Sequence, residues 1–237
     1  MNLKSFGCSF IHGTELADYR LVLSELADQT FVIGRDMPSR LTWPAHLAQH
    51  LDRRYLCFSH GGSGNLQILA QILDQAATSD SSDLFVVGWT WIERFDYYVD
   101  NQGNQLVDPW HTILPTDQTP TAQVYYQDLH SEFRDKFVSL TSIKLAIDTL
   151  QQRNIPFVMT SLDELLFDQR WHISPAILDL QSYIRPYMIN FDGQNFLEWT
   201  KSNGYPIGPG GHPLEAAHRA AGDYMIKVFD KQNTIDR

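Results

Sequence analysis

Short apolar runs rich in β-branched and aromatic residues alternate along the chain with longer segments in which apolar residues recur every three or four positions. The short runs have the length and composition of buried strands, and the longer segments have the period of amphipathic helices. The predicted strands are 3–8, 55–58, 84–88 and 156–160, with a weaker one at 187–190. The predicted helices are 43–51, 66–77, 126–153 in one or two pieces, and 213–230.

This alternation predicts an α/β fold with a central parallel sheet. The length of 237 residues predicts one domain spanning 1–237. Segments near 11–41 and 89–124 lack a clean period, and we interpret them as insertions that shape a pocket. Ligands of open α/β sheets bind outside the carboxyl ends of the strands, where the first three predicted strands run into loops bearing Gly or Ser.

Composition and charge limit the classes of partner that the chain is expected to bind. Lys and Arg total 18 against 28 Asp and Glu, a net charge of -10, and no basic run interrupts this excess. We therefore expect no nucleic acid and no membrane surface as a partner. No segment is long and apolar enough to cross a bilayer, the N-terminus lacks a signal-peptide pattern, and the two cysteines are too few for a disulfide scaffold. The expected location is cytoplasmic, with two reduced thiols.

No cofactor or metal is predicted. His46 and His50 stand four residues apart on a predicted helix, which is a ligand-like spacing, but no third ligand accompanies them. The charged run 132–136 is interpreted as a solvated helix face.

Three loops carry candidate chemistry. Ser9 follows the first strand in Gly7-Cys8-Ser9, where a hydroxyl can be presented beside its own N–H. The glycine-rich loop 59–65 precedes a helix and is suited to an oxyanion or a phosphate. His212 lies on a second glycine-rich loop before the last helix, whose dipole favours a neutral imidazole that can accept a proton. Each of these has a structural alternative: a helix cap, a tight turn and a surface histidine.

Together these blocks, in this order, resemble the SGNH hydrolases, or GDSL-type esterases and lipases. The segments Trp43-Pro44 and Gly88-Trp89-Thr90, with Arg94, resemble those of divergent members from phages and marine bacteria. The resemblance implies a three-layer α/β/α sandwich with a flavodoxin-like parallel sheet. It implies Ser9 as nucleophile and His212 as base. The implied oxyanion donors are Ser9, Gly64, or alternatively Gly62, and Thr90.

Two positions depart from the family pattern. Thr90 replaces the Asn that completes the oxyanion hole, and a hydroxyl can still donate one hydrogen bond. Pro209 stands where the family has the Asp that orients the histidine. We therefore expect a Ser–His dyad oriented by backbone carbonyls of 208–211, with Glu215 and Asp223 as less favourable carboxylates.

The function implied by the resemblance is hydrolysis of an ester of a small molecule or carbohydrate. Arg94, Trp89 and Asn65 are predicted to contact the substrate. The alternatives are an acyltransferase using the same Ser–His site, a catalytically weak ligand-binding protein on this scaffold, and a Cys8 nucleophile paired with histidine. The sequence assigns neither the acyl group nor the oligomeric state.

Overall fold

A computed structural model describes residues 1–19, 24–26, 29–31, 37–100 and 109–235. In this part of the chain the largest sheet has four strands in the order β4-β1-β5-β8, and each strand runs parallel to its neighbours. These strands are β1 (Asn2–Gly7), β4 (Arg54–Cys57), β5 (Leu84–Trp89) and β8 (Phe157–Ser161). Two antiparallel pairs lie outside it: β2 (Ser24–Leu26) with β3 (Gln29–Phe31), and β6 (Phe95–Tyr98) with β7 (Trp110–Ile113).

Helices follow most of the strands along the chain. They are α1 (Ser9–His12), α2 (Trp43–His50), α3 (Asn65–Ala76), α4 (Pro120–Val124), α5 (Glu132–Gln152), α6 (Pro175–Ile184), α7 (Phe196–Ser202) and α8 (Glu215–Ile235). A π-helical turn, Tyr125–Leu129, follows α4, and 3₁₀ turns occupy Glu164–Phe167 and Arg185–Tyr187.

The central strands are buried on both faces, as the apolar runs predict for a parallel sheet covered by helices. Apolar side chains on one face of the sheet pack with α3, α5 and α6, in a cluster that includes Phe6 and Val87. Side chains on the other face, including Leu3 and Val86, pack with α2, α7 and α8. The predicted α/β class and the helix–sheet–helix layering are therefore confirmed.

The fifth predicted strand is reduced to a single parallel bridge. Met188 pairs with Met159 of β8, and the Ile189 N–H donates to the Met159 carbonyl at 2.8 Å. The long helix predicted at 126–153 is broken, because His130 is extended and the Ser131 side chain caps a new helix by accepting from the Arg134 N–H. The run 132–136 lies at the start of α5.

The two predicted insertions contain β2, β3, β6, β7 and α4, although parts of both lie outside the described residues. Their interpretation as pocket-shaping insertions in one domain stays a prediction. Both cysteines are free; Cys8 is buried and Cys57 is partly exposed. None of the helices in the described ranges is long and apolar enough to span a membrane.

Candidate active site

The first block places Ser9 directly after the central strand β1. Cys8 has extended backbone and precedes α1, which begins at Ser9. The Cys8 side chain is fully buried in the apolar cluster below the sheet, whereas Ser9 is 7% exposed. The alternative of a Cys8 nucleophile is therefore wrong, because the Cys8 sulfur faces the core, whereas the Ser9 hydroxyl faces His212.

The last block brings His212 to Ser9. The Gly208 N–H donates to the His212 carbonyl at 2.8 Å, and the Gly211 N–H donates to the Gly208 carbonyl at 3.0 Å, which closes a tight loop. The imidazole Nε2 lies 2.8 Å from the Ser9 Oγ. The Phe10 ring packs against the imidazole, with 5.2 Å between ring centroids. The predicted Ser–His pair is thus brought together with hydrogen-bond geometry, although 203 positions separate the two residues.

A carboxylate that the sequence did not indicate lies on the other imidazole nitrogen. The Glu15 Oε2 is 2.6 Å from the His212 Nδ1, and the Gly210 N–H donates to the Glu15 Oε1 at 2.8 Å. A Cβ at Gly208 or Gly210 would lie 2.9 or 2.8 Å from this carboxylate, so the glycines permit its approach. The expectation of a carbonyl-oriented dyad is wrong.

The other two carboxylates considered as orienting groups do not fill this position. Glu215 accepts from the Ala17 N–H at 2.7 Å, which ties α8 to the turn that carries Glu15. Within the described residues, no hydrogen bond or ion pair joins Asp223 to His212. Glu15 itself has a φ of 74°, in the left-handed region that side chains other than glycine adopt infrequently.

The charge of Glu15 sets the state of the imidazole. Partial burial opposes ionisation of this carboxyl, but hydrogen bonds from Gly210 and His212 outweigh it and hold the pKa of Glu15 below its usual value. An ionised carboxylate only accepts hydrogen bonds, so the proton lies on the His212 Nδ1. The Nε2 is then free to accept the Ser9 hydroxyl proton, which is the tautomer that a general base requires.

The glycine-rich loop is held beside β1. The Phe58 N–H donates to the Ser5 carbonyl at 2.8 Å and the His60 N–H to the Gly7 carbonyl at 3.3 Å. From α1, the buried His12 donates through Nδ1 to the Ser59 carbonyl at 2.7 Å. The loop therefore begins at the strand end that carries Ser9.

Asp96 occupies the anion position at the start of α3. Its carboxylate, 6% exposed, accepts the N–H groups of Gly64, Leu66 and Gln67, each at 2.9 Å, and the Thr112 hydroxyl at 2.5 Å. A Cβ on Gly64 would lie 2.5 Å from the Asp96 oxygens, so this close approach requires glycine. The predicted oxyanion role of Gly64 is wrong because its N–H is already committed, and the same cap excludes a phosphate at this helix end.

The remaining predicted oxyanion groups are Gly62 and Thr90. Gly62 has a φ of 85°, and apart from its chain neighbours no described residue has an atom within 4 Å of where its Cβ would be. Thr90 follows β5, in which Gly88 pairs with Gly7 of β1. Thr90 and Ser9 each lie two residues after these paired glycines, at the same end of neighbouring strands. The Thr90 Oγ1 is buried and has no hydrogen-bond partner in the described part of the chain. Buried polar atoms normally have a partner.

Two of the three predicted substrate contacts are structural. Trp89 is 0% exposed and belongs to the core cluster, with its Nε1 directed at the Met159 sulfur. Asn65 is 4% exposed; its amide accepts from the Thr90 N–H at 2.9 Å and donates to the Thr90 carbonyl at 3.2 Å. Neither side chain is available to a substrate. Arg94 is half-buried and lies at the loop, where its Nη1 donates to the Ser63 carbonyl at 2.9 Å.

The other candidate groups give no site. His50 lies 3.6 Å from Asp230, and the half-buried His46 has a pKa lowered by desolvation and by Arg219. Among the residues that the structure describes, no group of three or more His, Cys, Asp or Glu could hold a metal ion.

Solved structures of two other proteins share this architecture. A member of the lipolytic G-D-S-L family from Veillonella parvula has a TM-score of 0.52 at 13% identity, covering 97% of this chain and 98% of that one. The psychrotrophic esterase EstA from Pseudoalteromonas sp., in a structure inhibited by monoethylphosphonate, has a TM-score of 0.53 at 10% identity, covering 98% of each chain. The chain therefore has the fold of the SGNH hydrolases. No protein-family model matches the sequence, and no curated protein does.

Proposed function

We propose that this chain, which has the SGNH-hydrolase fold, hydrolyses esters of a small molecule or carbohydrate with Ser9 as nucleophile. The observation that carries the proposal is the continuous hydrogen-bonded relay from Ser9 through His212 to Glu15, with heavy-atom distances of 2.8 and 2.6 Å. A serine is a weak nucleophile at its free pKa, and an adjacent oriented base activates it. The relay supports catalysis over a binding protein that merely shares the scaffold.

In the proposed reaction the Ser9 Oγ attacks the ester carbonyl carbon while His212 Nε2 takes the hydroxyl proton. Glu15 keeps the Nδ1 protonated and faces the positive charge that develops on the imidazole. His212 then returns the proton to the departing alcohol, which leaves an acyl group on Ser9. A water molecule, activated by the same base, releases the acid and restores the serine.

The oxyanion of each tetrahedral intermediate requires donors near Ser9. We assign the Ser9 N–H, the Gly62 N–H and the Thr90 hydroxyl to this role. The Ser9 N–H belongs to the first turn of α1, where backbone donors have no partner within the helix. The orphan Thr90 Oγ1 supports its assignment, because an oxyanion would supply the missing acceptor.

Labelling with a fluorophosphonate tests the nucleophile. We expect one adduct, located by mass spectrometry on Ser9, and Ser9-dependent hydrolysis of p-nitrophenyl acetate. Ser63→Ala is the matched control, since this buried serine also lies in the site loop and has no role in the relay. An adduct on Ser63, or turnover that persists in both Ser9→Ala and His212→Asn, would refute the proposal.

A further inference from the structure

Arg94 carries a positive charge that forms no ion pair with any residue in the described part of the chain. Its Nη1 donates to the Ser63 carbonyl at 2.9 Å, and its guanidinium lies 4.9 Å from the centroid of the Trp91 ring. Among the described residues, no carboxylate lies within 4.0 Å of its nitrogens. An arginine has five N–H donors in a planar fork, and one of them is used here.

These two contacts connect the guanidinium to the glycine-rich loop and, through a chain of packed rings, to His212. Ser63 belongs to the glycine-rich loop that begins beside β1. The Trp91 ring packs edge-on against Phe10, with 5.4 Å between centroids, and the Phe10 ring packs against His212 at 5.2 Å. The Trp91 ring and the Ser63 carbonyl already hold the Arg94 guanidinium in place. The side chain therefore loses little conformational entropy when a ligand binds.

Two of the three carboxylates nearest to Arg94 in the chain or in its surroundings are held by other groups. Asp96 is satisfied by three backbone N–H groups and the Thr112 hydroxyl. Asp135 lies 3.0 Å from Arg134 and 2.9 Å from His130. The exposed Glu93, next to Arg94 in the chain, attracts the guanidinium electrostatically but forms no ion pair with it within 4.0 Å, and Glu93 lines a cavity of about 320 Å³ to which Arg94 does not contribute. Since none of the three forms an ion pair with Arg94, the guanidinium keeps donors that an anion from solution can occupy.

We propose that Arg94 selects esters that carry an oxyanion, a carboxylate or a phosphate, close to the ester bond. This inference rests on the proposed hydrolase function and adds the substrate class to it. A planar guanidinium binds such a group through two parallel charge-assisted hydrogen bonds, which fixes both its position and its orientation. The anion belongs to the acyl half or to the alcohol half of the substrate, and two pairs of esters distinguish these cases.

The acyl pair is p-nitrophenyl hemisuccinate and its neutral near-isostere p-nitrophenyl 4-oxopentanoate. The alcohol pair is 4-acetoxybenzoate and 4-acetoxybenzamide. We expect the wild type to prefer the anionic member of one pair by at least about 10-fold in kcat/KM. This ratio corresponds to the free-energy contribution of one hydrogen bond to a charged group. Arg94→Gln should lower this preference ratio by at least about 10-fold, and Arg94→Lys should retain part of it, since a lysine keeps the charge but loses the fork.

Arg134→Gln is the matched control. Arg134 also stacks on an aromatic ring, with its guanidinium 4.8 Å from the Phe95 centroid, but it is paired with Asp135. This variant should keep the wild-type preference ratio. High salt should weaken the preference of the wild type, because it screens a half-exposed charge.

Two results would overturn the inference while the proposed function stands. One is Ser9-dependent turnover of the neutral esters with no preference for either anionic ester. The other is an Arg94→Gln variant that loses activity equally on both members of a pair, which would mean that Arg94 only supports the loop. Failure of Ser9 to react with fluorophosphonate would instead refute the hydrolase itself.

Discussion

Replacing Glu15 by glutamine removes the negative charge from the relay and leaves the size of the side chain unchanged. The carboxylate now accepts from the Gly210 N–H through one oxygen and from the His212 Nδ1–H through the other. An amide has a single oxygen, so it can satisfy only one of these donors and must point its NH₂ group at the other. If the NH₂ faces His212, the imidazole proton is driven to Nε2, where it blocks acceptance of the Ser9 proton.

The size of the effect follows from the exposure of the pair. Loss of the orienting carboxylate costs about 10⁴-fold in kcat in the serine-protease triad, where the carboxylate is buried. Here the side chains of His212 and Glu15 are 17% and 22% exposed, so water screens part of the charge. We therefore expect Glu15→Gln to lower kcat by about 10³-fold, which corresponds to about 4 kcal/mol of transition-state stabilisation.

Steady-state hydrolysis of p-nitrophenyl acetate at neutral pH, with circular dichroism to verify folding, measures this loss. Glu215→Gln serves as the matched control, because Glu215 also lies beside the Glu15 turn and its amide oxygen can still accept the Ala17 N–H. It removes one negative charge near the site without touching His212. We expect the control to stay within about 3-fold of wild type, the range of a screened surface charge.

A Glu15→Gln variant that remains folded and keeps kcat within about 3-fold of wild type would refute the orienting role. A loss of similar size in Glu215→Gln would show that the turn, or the net charge, matters rather than the hydrogen bond to His212.

Three further results are expected. Thr90→Val should lower kcat by no more than about 10²-fold, the low end of single oxyanion donors, without lowering Tm, because no described residue forms a hydrogen bond with the hydroxyl; a loss equal to that of Ser9→Ala would contradict a donor role. Asp96→Asn should reduce the free energy of unfolding in urea by about 2 kcal/mol, since its NH₂ must face a buried N–H donor; an unchanged midpoint would argue against the cap. Burial lowers the pKa of His218 to about 3. Below about pH 6.5 the unfolded chain therefore takes up a proton that the folded chain does not, and the free energy of unfolding decreases as the pH falls. His218→Asn, which keeps an acceptor for the Trp43 N–H, should flatten the loss of stability between pH 6.5 and 5, by about 2 kcal/mol at pH 5, and an equally steep loss would exclude His218 as its source.

The features that the sequence predicts correctly depend on local pattern. Apolar runs define β1 and β5, whose burial on both faces follows from a parallel sheet covered by helices. The sequence indicates Ser9 because it follows such a strand, and the carboxyl ends of parallel strands meet at one edge. It indicates His212 through its glycine-rich loop and the family motif. Both residues of the proposed catalytic pair are therefore candidates from the sequence alone.

The direction in which a side chain points could not be predicted from local pattern in the same way. Trp89 ends a buried strand, and the sheet directs its ring into the core, whereas Trp91 two positions later packs on Phe10 beside the site. Within the run interpreted as a solvated face, Lys136 is fully buried and donates to the carbonyls of Asp168 and Trp171, each at 2.6 Å. A charged side chain is normally exposed, but it can be buried where another segment of the chain covers it and supplies hydrogen-bond acceptors.

The partners of the site groups were decided by tertiary structure alone. Glu15 reaches His212 across 197 positions, and Asp96 reaches Gly64 across 32, neither through a helical or strand period. Each approach needs glycines that leave room for a carboxylate and backbone N–H groups turned toward it, and these conditions exist only once distant loops have closed. The sequence by itself determined which strand end carries the serine and which glycine-rich loop carries the histidine. The packing of the loops determined which carboxylate orients the base, and that the Gly64 N–H is bonded to Asp96 instead of facing an oxyanion.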